Sequence, residues 1–183
     1  MRKFLPVLLC LAVLSQPQAA FAQQKGFTQQ KIDITNLTIK AKQGDLWTQN
    51  YLGYVYLTGA DSRIRPDMKL ALMWFSTAAQ AGYAEAQTNL ALMYANGQGV
   101  KTNPELAAKW FHLAAKQNNK NAQYNLGTYY QTGTGVEKNA KEAAKWYGYA
   151  ARQNDRNAQV ALAELYLKGE GVEQSDTEAV KWL

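Results

Sequence analysis

The chain has 183 residues, enough for one elongated domain, with 20 lysines and arginines against 14 acids and a net charge of +6. The basic residues are scattered rather than run together, so the charge draws no nucleic-acid footprint. One cysteine and one histidine exclude a disulfide framework and a metal site built from those ligands.

The first element is an export signal over residues 1–22. Arg2 and Lys3 give a positive start, Phe4 to Leu14 is an apolar run broken by Pro6, and Ala20-Phe21-Ala22 supplies a small-x-small cleavage site before Gln23. The run is too short to cross a bilayer. Cys10 lies inside it after Leu9, where a lipid-attachment site would want a small residue, so the mature chain has no cysteine and no membrane segment. The expected location is periplasmic or secreted. Residues 23–30 read as a flexible leader, and Lys31 to Gln43, closed by Gly44, reads as a lone helix capping the N-terminal end of a repeat array.

From Leu46 to the end the chain repeats itself. Trp74, Trp110, Trp146 and Trp182 fall 36 residues apart, and the same ruler fits Tyr94, Tyr130 and Tyr166, the Ala-Ala pairs at 78, 114 and 150, and Gly97, Gly133 and Gly169. A period of this size means stacked supersecondary units that bury their apolar faces only against neighbours. In the unit at 86–121, Ala86, Leu90, Ala91 and Tyr94 share one arc of a helix A over about 84–96. Gly97-Gln98-Gly99 breaks that helix, and Asn103-Pro104-Glu105 restarts the chain with an N-cap, a first-turn proline and an early acid. Helix B comes next, with Ala107, Trp110, Phe111 and Ala114 on one face, and ends at Asn118, equivalent to Gly82 and Asn154. The units are set at 46–85, 86–121, 122–157 and 158–183, within a solenoid spanning 31–183. The first is two residues longer, Ala60 to Arg65 replacing the glycine turn. Leu183 stops helix B one residue after Trp182, so either the chain continues or another subunit covers that end; the oligomeric state stays open.

The fold class is therefore all-α: an α/α solenoid of stacked helix-turn-helix units, three full repeats with an N-terminal capping helix and a C-terminal partial repeat. The pattern carried by Ala86, Leu90, Ala91, Tyr94, Gly97, Gly99, Val100, Ala107, Trp110, Ala114 and Ala115 resembles the Sel-1-like repeat family, relatives of the tetratricopeptide repeats. The resemblance implies a non-enzymatic scaffold without cofactor whose concave helix-A surface meets other proteins, in envelope signalling, secretion or host contact. One exported branch of that family is cysteine-rich and includes β-lactam-binding or β-lactam-hydrolysing members. This chain lacks those cysteines.

No reaction centre converges in the sequence. The Gly-x-Gly pairs come after a helix rather than a strand, so they read as turns and not as a phosphate cradle. No Ser-x-x-Lys occurs in the mature chain; Ser62-Arg63-Ile64-Arg65 is the nearest approach, and arginine stays charged. His112 falls on the solvent side of helix B, away from any second metal ligand. Gln49, Gln87, Gln123 and Gln159 share one buried position and are expected to bond the adjacent repeat. Opposite the packed arc of helix A, residues change from copy to copy, and Trp47, Asn50, Tyr51, Tyr54, Thr88, Leu92, Tyr124 and Thr128 form the expected partner-binding surface for a protein or extended peptide. Trp47 has a second reading, packing on the N-terminal cap. Two rival functions stay open from the residues alone: an enzyme acting on β-lactams or cell-wall peptides, and a binder of cell-wall glycans.

Overall fold

The computed structural model describes residues 33–60 and 64–183. The signal 1–22, the leader 23–30, the first residues of the capping helix and Asp61, Ser62 and Arg63 of the longer loop lie outside the described residues. Nine helices and no strand are present among those described. The capping helix is α1 (Ile34–Lys42), started by Asp33, whose side chain accepts from the Asn36 amide. Helix A of each repeat is α2 (Leu46–Thr58), α4 (Ala84–Asn96), α6 (Lys120–Thr132) or α8 (Arg156–Lys168), and helix B is α3 (Met68–Gln80), α5 (Pro104–Lys116), α7 (Ala140–Arg152) or α9 (Asp176–Trp182). Consecutive helices pack on one another as hairpins, A helices lying in one layer and B helices in the other.

The ends of these helices are set by their sequence. Asp45, Asn103, Asn119, Asn139 and Asp155 each accept a backbone N–H of the first turn they precede, satisfying one orphan donor per helix. Every helix A stops at a left-handed glycine: Gly59, Gly97, Gly133 and Gly169 have φ of 63°, 69°, 76° and 68°. The second glycine of each Gly-x-Gly has a separate duty. A Cβ on Gly99, Gly135 or Gly171 would lie 2.6, 2.3 or 2.2 Å from backbone atoms of Met68, Pro104 and Ala140, the first residues of the preceding helix B. The turn of one repeat thus sits directly on the helix start of the repeat before it.

Small residues let the layers close. Ala71, Ala78, Ala107, Ala114, Ala143 and Ala150 have no exposed surface, and they bring each helix B within reach of the A helices on both sides. One large ring per hairpin fills the remaining space: Phe75, Phe111 and Tyr147, all buried. Ring and opposing residue compensate, since a Cβ on Gly53 or Gly127 would come within 2.6 Å of the Phe75 or Tyr147 ring. Tyr147 carries a hydroxyl into this place and satisfies it by donating to Gln131 Oε1 at 2.7 Å and Thr128 Oγ1 at 3.1 Å. Burial pushes its pKa up to about 12.

The tryptophans sit where adjacent repeats meet, and their cover differs. Trp74 is buried under α1 with Ala41, Leu52, Ile34 and Leu37. Trp146 is buried beneath the edge of His112, ring centroids 5.8 Å apart at 71°. At the place of His112 the other repeats have Ser76 and Gly148, and the tryptophans they precede, Trp110 and Trp182, are only half-buried. Trp110 is accordingly less enclosed than a uniform helix B face predicts.

Amides tie the repeats together at one end of the helices. Gln49, Gln87, Gln123 and Gln159 donate to the carbonyls of Ala41, Ala79, Ala115 and Ala151, each in the helix before, at 2.8 to 3.3 Å. Gln117 and Gln153, at the end of helix B in the same repeats as Gln87 and Gln123, donate in turn to Gln87 Oε1 at 2.8 Å and Gln123 Oε1 at 2.7 Å. The position equivalent to Gln117 and Gln153 in the first repeat is Ala81, and Gln49 Oε1 is a buried acceptor with no hydrogen-bond partner. A buried unpaired acceptor costs on the order of 1–3 kcal/mol. Ala81→Gln should therefore stabilise the protein by about 1 kcal/mol, read as a rise in the urea midpoint at unchanged slope, and Gln49→Leu should abolish the gain.

Candidate functional site

The residues expected to face a partner divide into three groups. Asn50, Thr88 and Leu92 are buried, at 1%, 4% and 2% exposure, and are not part of any open surface. Asn50 Oδ1 accepts from Asn89 Nδ2 at 2.9 Å, joining α2 to α4, while Thr88 bonds the Ala84 carbonyl of its own helix. Leu92 belongs to the core with Ala107, Phe111 and Leu126. The reason is packing between repeats: the Asn50–Asn89 bond brings α2 against α4, and Leu92 shares a cluster with Phe111 of α5 and Leu126 of α6, so the covered arc of helix A is wider than that of an amphipathic surface helix.

Tyr124 and Thr128 of α6 are half-buried and lean inward. The Tyr124 ring lies 5.7 Å from that of Tyr147, tilted by 39°, and Thr128 accepts the Tyr147 hydroxyl. They support the third hairpin rather than standing away from it.

Trp47, Tyr51 and Tyr54 of α2 form the third group, all half-buried. Trp47 and Tyr51, one helical turn apart, stack with centroids 5.1 Å apart and planes within 11°. Partial burial, then the neighbouring Tyr54, raises the Tyr51 pKa above its usual value. Tyr54 touches the cluster around Phe75 and Leu90, whereas neither Trp47 nor Tyr51 joins the four hydrophobic clusters of the described residues. Of the expected surface aromatics, the half-buried Trp47, Tyr51 and Tyr54 thus lie together on the first repeat.

On the opposite layer, His112 is half-buried against Trp146 rather than fully solvated on helix B. Burial and the Lys116 and Lys145 cations hold its pKa below the usual value of 6.5, with Glu142 opposing. Its ring is a packing group. No group of three or more His, Cys, Asp and Glu among the described residues is placed to hold a metal, and no helix among them is long and apolar enough to cross a membrane. Glu142 pairs with Lys145 at 3.2 Å on the surface, and Lys145 lies 5.7 Å over the Trp146 ring. Sequence reasoning misses the contact of His112 with Trp146, because it depends on the angle at which successive B helices meet.

Comparison with known proteins agrees with this architecture. The profile of the Sel1 repeat matches residues 48–83, 84–119, 120–155 and 156–183. Among solved structures, c5321, described as a protective antigen present in uropathogenic Escherichia coli strains and displaying an SLR fold, is 34% identical with a TM-score of 0.79 over 83% of this chain. A Sel1 repeat protein from Oxalobacter formigenes is 33% identical, with a TM-score of 0.77 over 90% of the chain. The chain spans 32% of the first protein and 65% of the second. The Helicobacter pylori cysteine rich protein B is more distant, at 26% identity and a TM-score of 0.54 over 67% of this chain and 92% of its own. No curated protein sequence matches. Repeats of this kind generally mediate protein interactions, and with four of them in register over a helix-hairpin solenoid, the chain belongs to the Sel1 repeat family.

Proposed function

We propose that this protein is an exported scaffold that grips an extended peptide or a protein partner on the concave, helix-A side of its solenoid, with the contact centred on α2. The stacked pair Trp47 and Tyr51 carries the reading: two large amphipathic rings side by side on helix A, half-buried, are the side-chain type that anchors interfaces at low entropic cost. Export is supported by the order of charged start, apolar run and Ala-x-Ala site at residues 1–22. N-terminal sequencing that finds Gln23 first on the exported protein supports it; Met1 or a lipidated Cys10 overturns it.

Crosslinking from position 51 in cells, with identification of the adduct, tests the surface. Trp47→Ala combined with Tyr51→Ala should leave the circular dichroism spectrum unchanged and weaken binding of the identified partner at least about a hundredfold, since interface aromatics are often worth about 2 kcal/mol or more each. Lys109→Ala and Lys145→Ala, on the other layer, should matter little for that partner. Undiminished binding by the double aromatic variant rejects the surface, and retention on purified peptidoglycan that the variant loses assigns it to glycans instead.

A further inference from the structure

Gly148 has no packing reason to be glycine. It sits in the middle of α7, where glycine is a poorer helix former than alanine, and a Cβ there would meet nothing closer than Arg152 Nη1 at 3.8 Å and Leu162 Cδ2 at 4.0 Å. Gly53 and Gly127, also inside helices, are by contrast forced by rings 2.6 Å away. The equivalent of Gly148 one repeat earlier is His112, whose ring fills the junction by closing on Trp146. With that ring missing, a groove of about 360 Å³ opens between α7, α8 and α9.

The groove has a definite chemistry. Ala144 and Leu162 line it with Tyr149, Tyr166 and Trp182, and Lys141, Lys145 and Arg152 supply positive charge; no carboxylate is among its lining residues. Tyr149 is held in place between Trp146, edge to face at 5.5 Å, and Arg152 at 6.0 Å. Lys145 is already engaged with an acid, Glu142.

We propose that this groove is a second binding site, on the helix-B layer, for an acidic peptide segment that seats one aromatic or aliphatic side chain over Gly148 and sets carboxylates on Lys141 and Arg152. The spacing selects a peptide. Lys141 and Arg152 lie eleven residues apart on one helix, about 16 Å at 1.5 Å per residue, which is the reach of about five extended residues. The Arg152 guanidinium folds back to 3.8 Å from the Gly148 Cβ position and borders the seat, while Lys141 stands about two helical turns before Gly148, so the fitting segment has its anchor flanked by an acid on each side, one of them close to it. The site is independent of the α2 aromatics.

Two fluorescein-labelled peptides test it by anisotropy at low salt: one with glutamates flanking a central phenylalanine on both sides, and the same peptide with glycine in the centre. The phenylalanine peptide should bind saturably and the glycine peptide at least about tenfold more weakly, the worth of one buried side chain. Gly148→His, which installs the residue the preceding repeat already accommodates, should remove that difference, whereas Gly148→Ala should preserve it and raise Tm. Lys141→Gln with Arg152→Gln, both exposed, should weaken the phenylalanine peptide whatever Gly148→His does to folding. Trp47→Ala with Tyr51→Ala should leave it unchanged. Equal binding of the two peptides, undiminished binding by both the histidine and the double glutamine variants, or binding only to phosphatidylglycerol vesicles overturns the proposal.

Discussion

Phe111→Ala is expected to cost about 3–5 kcal/mol of unfolding free energy, the range for truncating a fully enclosed aromatic. The ring has no exposed surface and packs edge-on against Tyr129 at 5.3 Å and 74°, within the cluster that includes Ala91, Leu126 and Trp146. The cavity cannot collapse readily, because Ala91 and Ala115 in that cluster are too small to move in. The location amplifies the effect: α5 joins the second repeat to the third, and a linear array weakened at a central junction can separate into two parts too short to stand alone. Urea denaturation monitored by tryptophan fluorescence measures the loss. Met73→Ala, on an exposed position of α3, should stay within about 0.5 kcal/mol. A Phe111→Ala loss below about 1 kcal/mol would mean that the ring is not enclosed in solution.

Gly135→Ala should be nearly as severe although it adds a single methyl group. Residue 135 has φ of 65°, a region that costs an L-residue about 1–2 kcal/mol, and its Cβ would fall 2.3 Å from the Pro104 carbonyl oxygen. Backbone cannot rotate away as a side chain does, so the turn must lift off α5 and take the third repeat with it. A total loss of about 3 kcal/mol or more is expected in thermal melts. Gly82→Ala isolates the conformational part, since φ is 92° there and nothing lies within 4 Å of the added Cβ; it should cost only about 1–2 kcal/mol. Equal losses at the two glycines would show that the close contact with Pro104 contributes nothing.

The solenoid was legible because its determinants are local and periodic. Each Gly97-type cap, each Asn103-type start and each Ala-Ala pair acts within its own repeat or on the next, so counting to 36 locates it. The buried glutamine position was legible for the same reason. The candidate surface was read less well. A helical wheel drawn for α4 alone places Thr88 and Leu92 opposite the packed arc, yet both are buried, Leu92 in the cluster that holds Phe111 of α5 and Leu126 of α6, a packing that depends on the tilt between repeats and leaves no periodic mark. Tyr124 went the same way, drawn inward by Tyr147, which stands where the second repeat has Phe111. In the first repeat Trp47, Tyr51 and Tyr54 of the same expected surface remain half-buried. The role of position 112 was hidden for a different reason: serine, histidine and glycine at one place look like drift until the tryptophan each of them precedes is seen to change its burial.

The inter-repeat bonds also bear on how such a chain can lengthen in evolution. The glutamine-to-alanine bonds always reach back eight residues, the glutamine-to-glutamine bonds thirty, and the second glycine of each turn lies against a residue thirty-one before it. All three distances are shorter than the 36-residue period, so each tie either stays within a repeat, as the glutamine-to-glutamine bonds do, or joins it only to its neighbour. Duplicating one period in the gene therefore copies donor, acceptor and close contact together, and the new unit meets both its neighbours with complementary ends. Loss of a whole period heals in the same way. A partial duplication, by contrast, strands a buried amide or drives a methyl into a backbone carbonyl, so folding itself filters for changes in whole repeats.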